Sequence, residues 1–290
     1  MPAASHQPSR RARWTAGVLL LTALALSVAA IVDSQQAGSG ARRGPIAFVS
    51  SSAGNPEIFS AATLDSEPER LTRDASTDGS PAWSADGSRL AFVSDRDGDL
   101  EIYLIDADGS GLEQLTSDPA EDLFPAWSPD QQQLVFVSER DAGESSRDYD
   151  GNAEIYVMNI DGTQPRRLTQ HPATDTMPSF SSKGDRVAFT SLRDNDYEIY
   201  LLELNADGRP GRLERLTHSP GRDMHPRFSP DDQWIIFTSE RGRLNDELPL
   251  TQVVFQPQPY GEIHAMRLSD RQVVRLTHNK WEDGPADWVK

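Results

Sequence analysis

The chain has 290 residues, with 28 Lys and Arg against 45 Asp and Glu, a formal charge of −17 and no cysteine. The acid excess excludes a binder built on a basic stripe that neutralises nucleic-acid phosphates. The missing thiols exclude disulfides, thiol catalysis, Cys-ligated zinc and a lipid-modified N-terminal cysteine.

Arg10, Arg11 and Arg13 precede 19 uncharged, largely apolar residues from Trp14 to Val32. A basic region before an apolar one is the pattern of an export signal. Val28-Ala29-Ala30 supplies small residues for cleavage after Ala30. The apolar stretch is also long enough to span a bilayer. Residues 1–32 are therefore expected to be a signal peptide or an uncleaved signal-anchor helix, the latter seated in the cytoplasmic membrane through residues 14–32. The three arginines place the rest outside. Residues 33–44 read as a polar linker. Without the three leader arginines, 25 basic residues face 45 acidic ones, a net −20 for the exported part.

From residue 46 onward one pattern recurs five times. Ala47-Phe48-Val49-Ser50 returns around Phe92, Phe136, Phe189 and Phe237, at spacings of 44, 44, 53 and 48 residues. Glu-Ile-aromatic follows at Glu57, Glu101, Glu154 and Glu198, with Glu262-Ile263-His264 as the fifth copy. Leu-Thr comes next, at Leu71, Leu115, Leu168, Leu216 and Leu276. Pro-x-aromatic-Ser closes each unit at Pro81, Pro125, Pro178 and Pro226, and the chain ends on Pro285-Ala286-Asp287-Trp288. Each block is short, β-branched or aromatic, and bounded by Gly, Asp, Asn or Pro, which is strand chemistry. Four strands in about 44 residues is the propeller period.

We denote the strands A (Pro-x-Trp-Ser), B (Ala-Phe-Val-Ser), C (Glu-Ile-Tyr) and D (Leu-Thr). The repeats begin at a B strand and end on an A strand. The expected fold is thus all-β: a β-propeller of five four-stranded antiparallel blades over residues 45–290, closed by a C-terminal inner strand. Six blades is the alternative count. Closure protects edges that could pair with other chains, and a monomer is expected.

Pro125-Ala126-Trp127-Ser128-Pro129-Asp130, then Phe136-Val137-Ser138, Glu154-Ile155-Tyr156, Asp161-Gly162 and Leu168-Thr169, resembles in order the PD40 (WD40-like) repeat of the TolB-type β-propeller family. The resemblance covers residues 45–290. It implies the blade fold and a periplasmic role in a complex linking the inner and outer envelope layers. Two departures stand out: the family usually has six blades, and it carries an N-terminal α/β domain for which residues 33–44 leave no room.

Strand parity divides the loops between two faces. A–B and C–D turns share one face and are trimmed to pairs such as Asp108-Gly109 and Pro129-Asp130. B–C and D–A loops share the other. There the loop Glu139–Ala153 is enlarged by about nine residues, and Glu240–Gly261 is longer still, carrying Phe255 and Tyr260. Loops of this length in compact domains are functional or disordered.

An Asp stands five residues before each A-strand aromatic: Asp78, Asp122, Asp175, Asp223 and Asp283. The five form an expected acidic ring at the long-loop tunnel mouth. One reading is a Ca²⁺ site or a cradle for a basic group; the other is turn scaffold. The residues just before Pro differ between blades. Of these, Phe124, Met177 and His225 are candidates for partner contact beside the ring. Arg96, Arg140, Arg193 and Arg241 recur in the B–C loops, where they are expected to pair with neighbouring carboxylates. The D-x-D-G-[DN]-x-E runs from Asp95 and Asp148 suit calcium superficially, but Gly sits at the wrong place for an EF-hand and the pattern also fits a hairpin.

No catalytic motif is present: no G-x-S-x-G, H-E-x-x-H or Gly-rich phosphate loop. His171, His218 and His278 follow Leu-Thr without triad or metal spacing. The expected function is a non-catalytic exported propeller that binds an envelope protein or peptide at the long-loop mouth, with no cofactor beyond the ring's calcium option. The alternative is a carbohydrate-active glycosidase or lyase. That chemistry needs two carboxylates in different environments. Ring acids are equivalent by repeat, so Glu121, Glu247 and Glu282 are the non-repeated acids that could break the symmetry.

Overall fold

The computed structural model describes residues 46–277, apart from 53, 64–65, 142–151 and 242–260. The expected leader, linker and C-terminal closing strand, with Asp283, lie outside the described residues, as do Phe255 and Tyr260.

The described chain is strand and turn. Blade one holds β1 (Ile46–Ser50), β2 (Glu57–Ala61) and β3 (Glu69–Arg70). Blade two holds β4 (Asp78–Trp83), β5 (Arg89–Ser94), β6 (Glu101–Asp106) and β7 (Glu113–Gln114). Blade three holds β8 (Asp122–Trp127), β9 (Gln133–Ser138), β10 (Glu154–Asn159) and β11 (Arg166–Arg167). Blade four holds β12 (Asp175–Phe180), β13 (Arg186–Ser191), β14 (Glu198–Leu204) and β15 (Pro210–Arg215). Blade five holds β16 (Asp223–Phe228), β17 (Trp234–Ser239), β18 (Glu262–Arg267) and β19 (Val273–Arg275). Each sheet runs A-B-C-D in order and pairs antiparallel. Blade one shows B, C and D strands among the described residues. Five blades, not six, are thus present in the described chain.

Successive A strands touch one another, so A is the inner strand and D the outer. The core lies between blades. Val135 and Val137 on one side of β9 pack with Val187 and Phe189 of the next blade. Leu134 and Phe136, on its other side, pack with Ala91, Ile102 and Leu104 of the preceding blade. Both faces of a B strand are covered, so Leu134-Val135-Phe136-Val137 is continuously apolar rather than alternating. Phe92, Phe136, Phe189 and Phe237 are buried. Each sits against the C-strand ring opposite, Tyr103, Tyr156, Tyr200 or His264, at centroid distances of 5.8–5.9 Å.

The repeated Ser after the A-strand aromatic pins the A–B turn. Ser128 Oγ accepts the Gln133 amide at 2.9 Å and donates to Asp130 at 2.5 Å. Ser84 and Ser229 do the same with Asp86 and Asp231. These turns are local hydrogen-bond chemistry.

Candidate functional site

The long-loop face begins where each A strand begins. Its pairing to B breaks after two residues, between Gly79 and Ala82, Leu123 and Ala126, Thr176 and Ser179, and Met224 and Arg227. The bulged residue before the proline is Ser80, Phe124, Met177 or His225, with φ of 50°, 51°, 54° and 57°. Two physical constraints meet there. A proline disfavours the right-handed helical region for the residue before it and brings no N–H to the ladder. A non-glycine residue in the left-handed region is sterically costly. Four blades hold this conformation, and all four side chains are half-buried.

The surrounding structure that holds it is a repeated buried ion-pair joint. Asp78, Asp122, Asp175 and Asp223 have no exposed surface. Each amide donates across the blade boundary to the carbonyl before the preceding blade's C strand: Asp122 to Leu100 at 2.8 Å, Asp175 to Ala153 at 2.8 Å, Asp223 to Tyr197 at 2.7 Å. Each carboxylate meets the B–C arginine of its own blade. Arg96 reaches Asp78 at 3.1 Å, Arg140 reaches Asp122 at 2.7 Å, Arg193 reaches Asp175 at 2.6 Å and Arg241 reaches Asp223 at 2.5 Å. Each Nε donates to the Ser that ends the B strand, as Arg140 does to Ser138 at 2.8 Å. The guanidinium lies over the aromatic pair; Arg193 stands 4.6 Å from the Tyr200 centroid. Burial raises the Asp78 and Asp122 carboxyls; hydrogen bonds from Ser94 and Ser138, then the arginines, oppose it.

A second row lies beside the first. Glu57, Glu101, Glu154, Glu198 and Glu262 open the C strands and are fully buried. The Thr of Leu-Thr donates to the glutamate: Thr169 to Glu154 and Thr277 to Glu262 at 2.6 Å, Thr217 to Glu198 at 2.5 Å. Two residues before each Thr, an arginine covers the same glutamate. Arg70 pairs with Glu57, Arg167 with Glu154 at 2.5 Å, Arg215 with Glu198 at 2.7 Å and Arg275 with Glu262 at 2.6 Å. Blade two departs: Gln114 stands in the arginine's place.

Sequence reasoning located the ring Asp and expected the B–C arginines to pair with carboxylates; the structure pairs each described one with its arginine. It missed the glutamate row, having read Glu-Ile-Tyr and Leu-Thr as strand blocks. The signal was there: Arg-Leu-Thr recurs in four of five copies, and ring Asp to B–C Arg is 18 residues every time.

Other candidates resolve individually. The run from Asp95 is a turn, with Gly98 at φ 120° donating to the Asp95 carbonyl at 3.0 Å. Most of the run from Asp148 lies outside the described residues. Among the described residues, no three His, Asp or Glu side chains come together as a metal site. His171 donates its amide to Glu154 at 2.6 Å, and its Nδ1 accepts the Ala173 amide at 3.1 Å. His225 is pushed down to about 4 by desolvation and then by Arg227, so its ring is neutral near pH 7, and its Nδ1 has no hydrogen-bond partner. Glu121 is buried, while Glu247, Glu282 and His278 lie outside the described residues.

The sequence pattern of the PD40 TolB beta propeller domain matches residues 39–146. A TolB homolog from Chlorobium luteolum is 31% identical over 159 residues, 55% of this chain and 34% of that protein. The Tol-Pal system protein TolB of Desulfosudis oleivorans is 36% identical over 55 residues, 19% of this chain and 13% of that protein. The chain thus spans about a third or less of the length of these curated relatives. The crystal structure of TolB from Acinetobacter baumannii superposes with a TM-score of 0.65 at 22% identity, covering 82% of this chain and 52% of that one. At that identity the likeness is one of fold. Residues 39–146 are thus similar to TolB-type PD40 repeats, and the chain shares the fold of the TolB propeller.

Two measurements check the joints. Arg140→Ala leaves Asp122 buried and uncompensated; the expected loss is about 3–5 kcal/mol by urea unfolding. Adding Asp122→Asn to that variant is expected to cost less than the two single losses together. The second concerns Glu101, whose carboxyl burial pushes up to about 8, with Thr116 opposing and Asp122, Asp97 and Asp118 adding to the rise. The folded chain keeps this proton from pH 4.5, its ordinary value, to about 8, where the unfolded chain releases it. Its contribution is therefore full at low pH and lost as pH rises through about 8. Glu101→Gln, neutral throughout, is expected to melt with the parent near pH 4.5 and above it beyond pH 8; parallel melting curves at every pH contradict this.

Proposed function

We propose that this chain, a propeller of TolB-type repeats, is a non-catalytic binding module of the cell envelope that holds a protein or peptide at its long-loop face. The observation that carries this reading is the bulge. Ser80, Phe124, Met177 and His225 occupy one strained conformation on one repeated frame, yet differ in chemistry from blade to blade. Strain held at equivalent positions with blade-specific side chains suits recognition, because a folding role alone asks for no such variety. Phe124 and Met177 supply apolar contact and His225 a neutral imidazole. Phe255 and Tyr260 of the 240–261 loop join the same surface in this reading, and Asp283 continues the ring in the closing blade. The Asp ring serves as the frame beneath them.

A hydrolytic or lytic role needs two carboxylates whose environments push their pKa values apart and that reach a substrate. The four described ring acids are buried against arginines, which supports binding over catalysis. The relatives' names, TolB and the Tol-Pal system, support envelope partners and a periplasmic place. Residues 1–32 would provide export or a membrane anchor, and residues 45–290 the propeller.

Glycine tolerates the bulge conformation, so Phe124→Gly and Met177→Gly remove contact without forcing the backbone. A photo-crosslinking residue at Ser80 is expected to trap one envelope partner, with the yield falling roughly tenfold in either glycine variant. The melting temperature holds in Met177→Gly and falls in Phe124→Gly, because Phe124 also packs against the core between blades. The same probe at Asp108, on the trimmed face, is expected to trap none. Equal trapping at both faces, or polysaccharide turnover abolished by Asp122→Asn in a folded protein, contradicts the proposal.

A further inference from the structure

Among the described residues the two rows of the long-loop face bury nine carboxylates, and eight arginines meet them. The deficit falls at Glu101. In the other blades the D-strand arginine makes two bonds. Its Nε donates to the threonine carbonyl, as Arg167 does to Thr169 at 2.6 Å, and its Nη2 continues to the glutamate. Gln114 reproduces the first bond, donating from Nε2 to the Thr116 carbonyl at 2.8 Å, and the same nitrogen donates to Asp97 Oδ2, a bond an incoming guanidinium would replace. Its side chain ends at that nitrogen, so the bond that the sister arginines make to the buried glutamate has no counterpart.

The acceptors that half would meet are in place. Glu101 is 1% exposed and its Oε2 has no hydrogen-bond partner. The Tyr103 hydroxyl and Asp122 Oδ1, both buried, have none either. Asp97 corresponds to Asp141 and Asp194, which accept Arg167 and Arg215 at 3.0 Å in the sister blades. Gln114 and Asp97 are both exposed, so the position is approached from solvent, as it is by the sister arginines.

We propose that Glu101 and Asp97 receive the guanidinium of an arginine side chain from the partner protein, seated where the other blades place their own arginine. This rests on the reading of the long-loop face as the partner surface, and it names one anchor on it. A guanidinium is the group the fold itself uses at four equivalent positions: its planar fork reaches two carboxylates at once and cannot lose its charge. An ammonium lacks the fork. Asp122, the third carboxylate nearby, already holds Arg140. The cation must displace the proton that burial holds on Glu101, so binding tightens as pH rises toward about 8.

The test uses the full chain and N-acetyl-arginine methylamide as probe, followed by the carboxyl ¹³C resonance of Glu101 and by calorimetry. Saturable binding is expected, strengthening roughly 50-fold between about pH 6 and pH 8 as the Glu101 proton is released. Gln114→Arg supplies the missing guanidinium from within and is expected to weaken binding roughly tenfold or more while raising the melting temperature. Glu101→Gln is expected to weaken it likewise. N-acetyl-lysine methylamide is expected to bind less tightly than the arginine probe. No saturable binding, undiminished binding in Gln114→Arg, or stoichiometric displacement of the probe by calcium chloride overturns the assignment. Because the probe is a single residue, its failure leaves the crosslinking of the bulge residues unaffected, and failure of that crosslinking leaves this titration readable.

Discussion

A carboxylate taken out of water must find a cation or keep a proton, and in this propeller that rule operates at each of the four described blade boundaries. The ring Asp donates its amide to one blade and gives its carboxylate to an arginine on its own, so backbone and charge are tied in one place. The guanidinium is divided between a serine hydroxyl, the carboxylate and an aromatic face, which leaves it well satisfied. Such a pair adds little net stability over apolar packing but is costly to break from one side. Its use here is register. An Asp one position out of phase would bury a bare charge.

This constraint links the fold to its surface. The joints hold the A strands at their first residues, and the bulges follow immediately. Left-handed backbone at Ser80, Phe124, Met177 and His225 costs roughly 1–3 kcal/mol apiece, and it persists where surrounding structure overdetermines it. The rigid frame and the variable residues are thus parts of one device, the first identical in each blade and the second different. The acid excess also takes on a more specific meaning. Eight of the 45 acids are internal and each is cancelled by an arginine, so the net excess belongs to the others; among the described residues of the two rows, Glu101 is the member without an arginine.

The blades were legible in the sequence because both faces of each B strand are covered, which forces a continuous apolar run flanked by turn residues. The run Ala91-Phe92-Val93 and its four relatives announce themselves at a fixed period. Face parity and the ring were legible for the same reason. Burial of the ring was not, since an Asp reads alike whether it faces a tunnel or an arginine 18 residues later. Nor was the bulge: Phe124 and Met177 stood out as blade-specific residues before proline, but their positive φ arises from a pairing break that only the register reveals. Glu101 was hidden most completely. Its meaning lies in a difference between copies, Gln114 for Arg, rather than in any copy alone.

Native-state hydrogen exchange on Arg193→Ala tests the boundary joint most directly. The Asp175 amide, which donates to Ala153 across blades three and four, reports the joint's opening. If the ion pair holds that boundary, protection at Asp175 drops by orders of magnitude while amides beside Phe92 in blade two keep theirs. Unchanged protection at Asp175, or a loss spread evenly over all blades, contradicts the account.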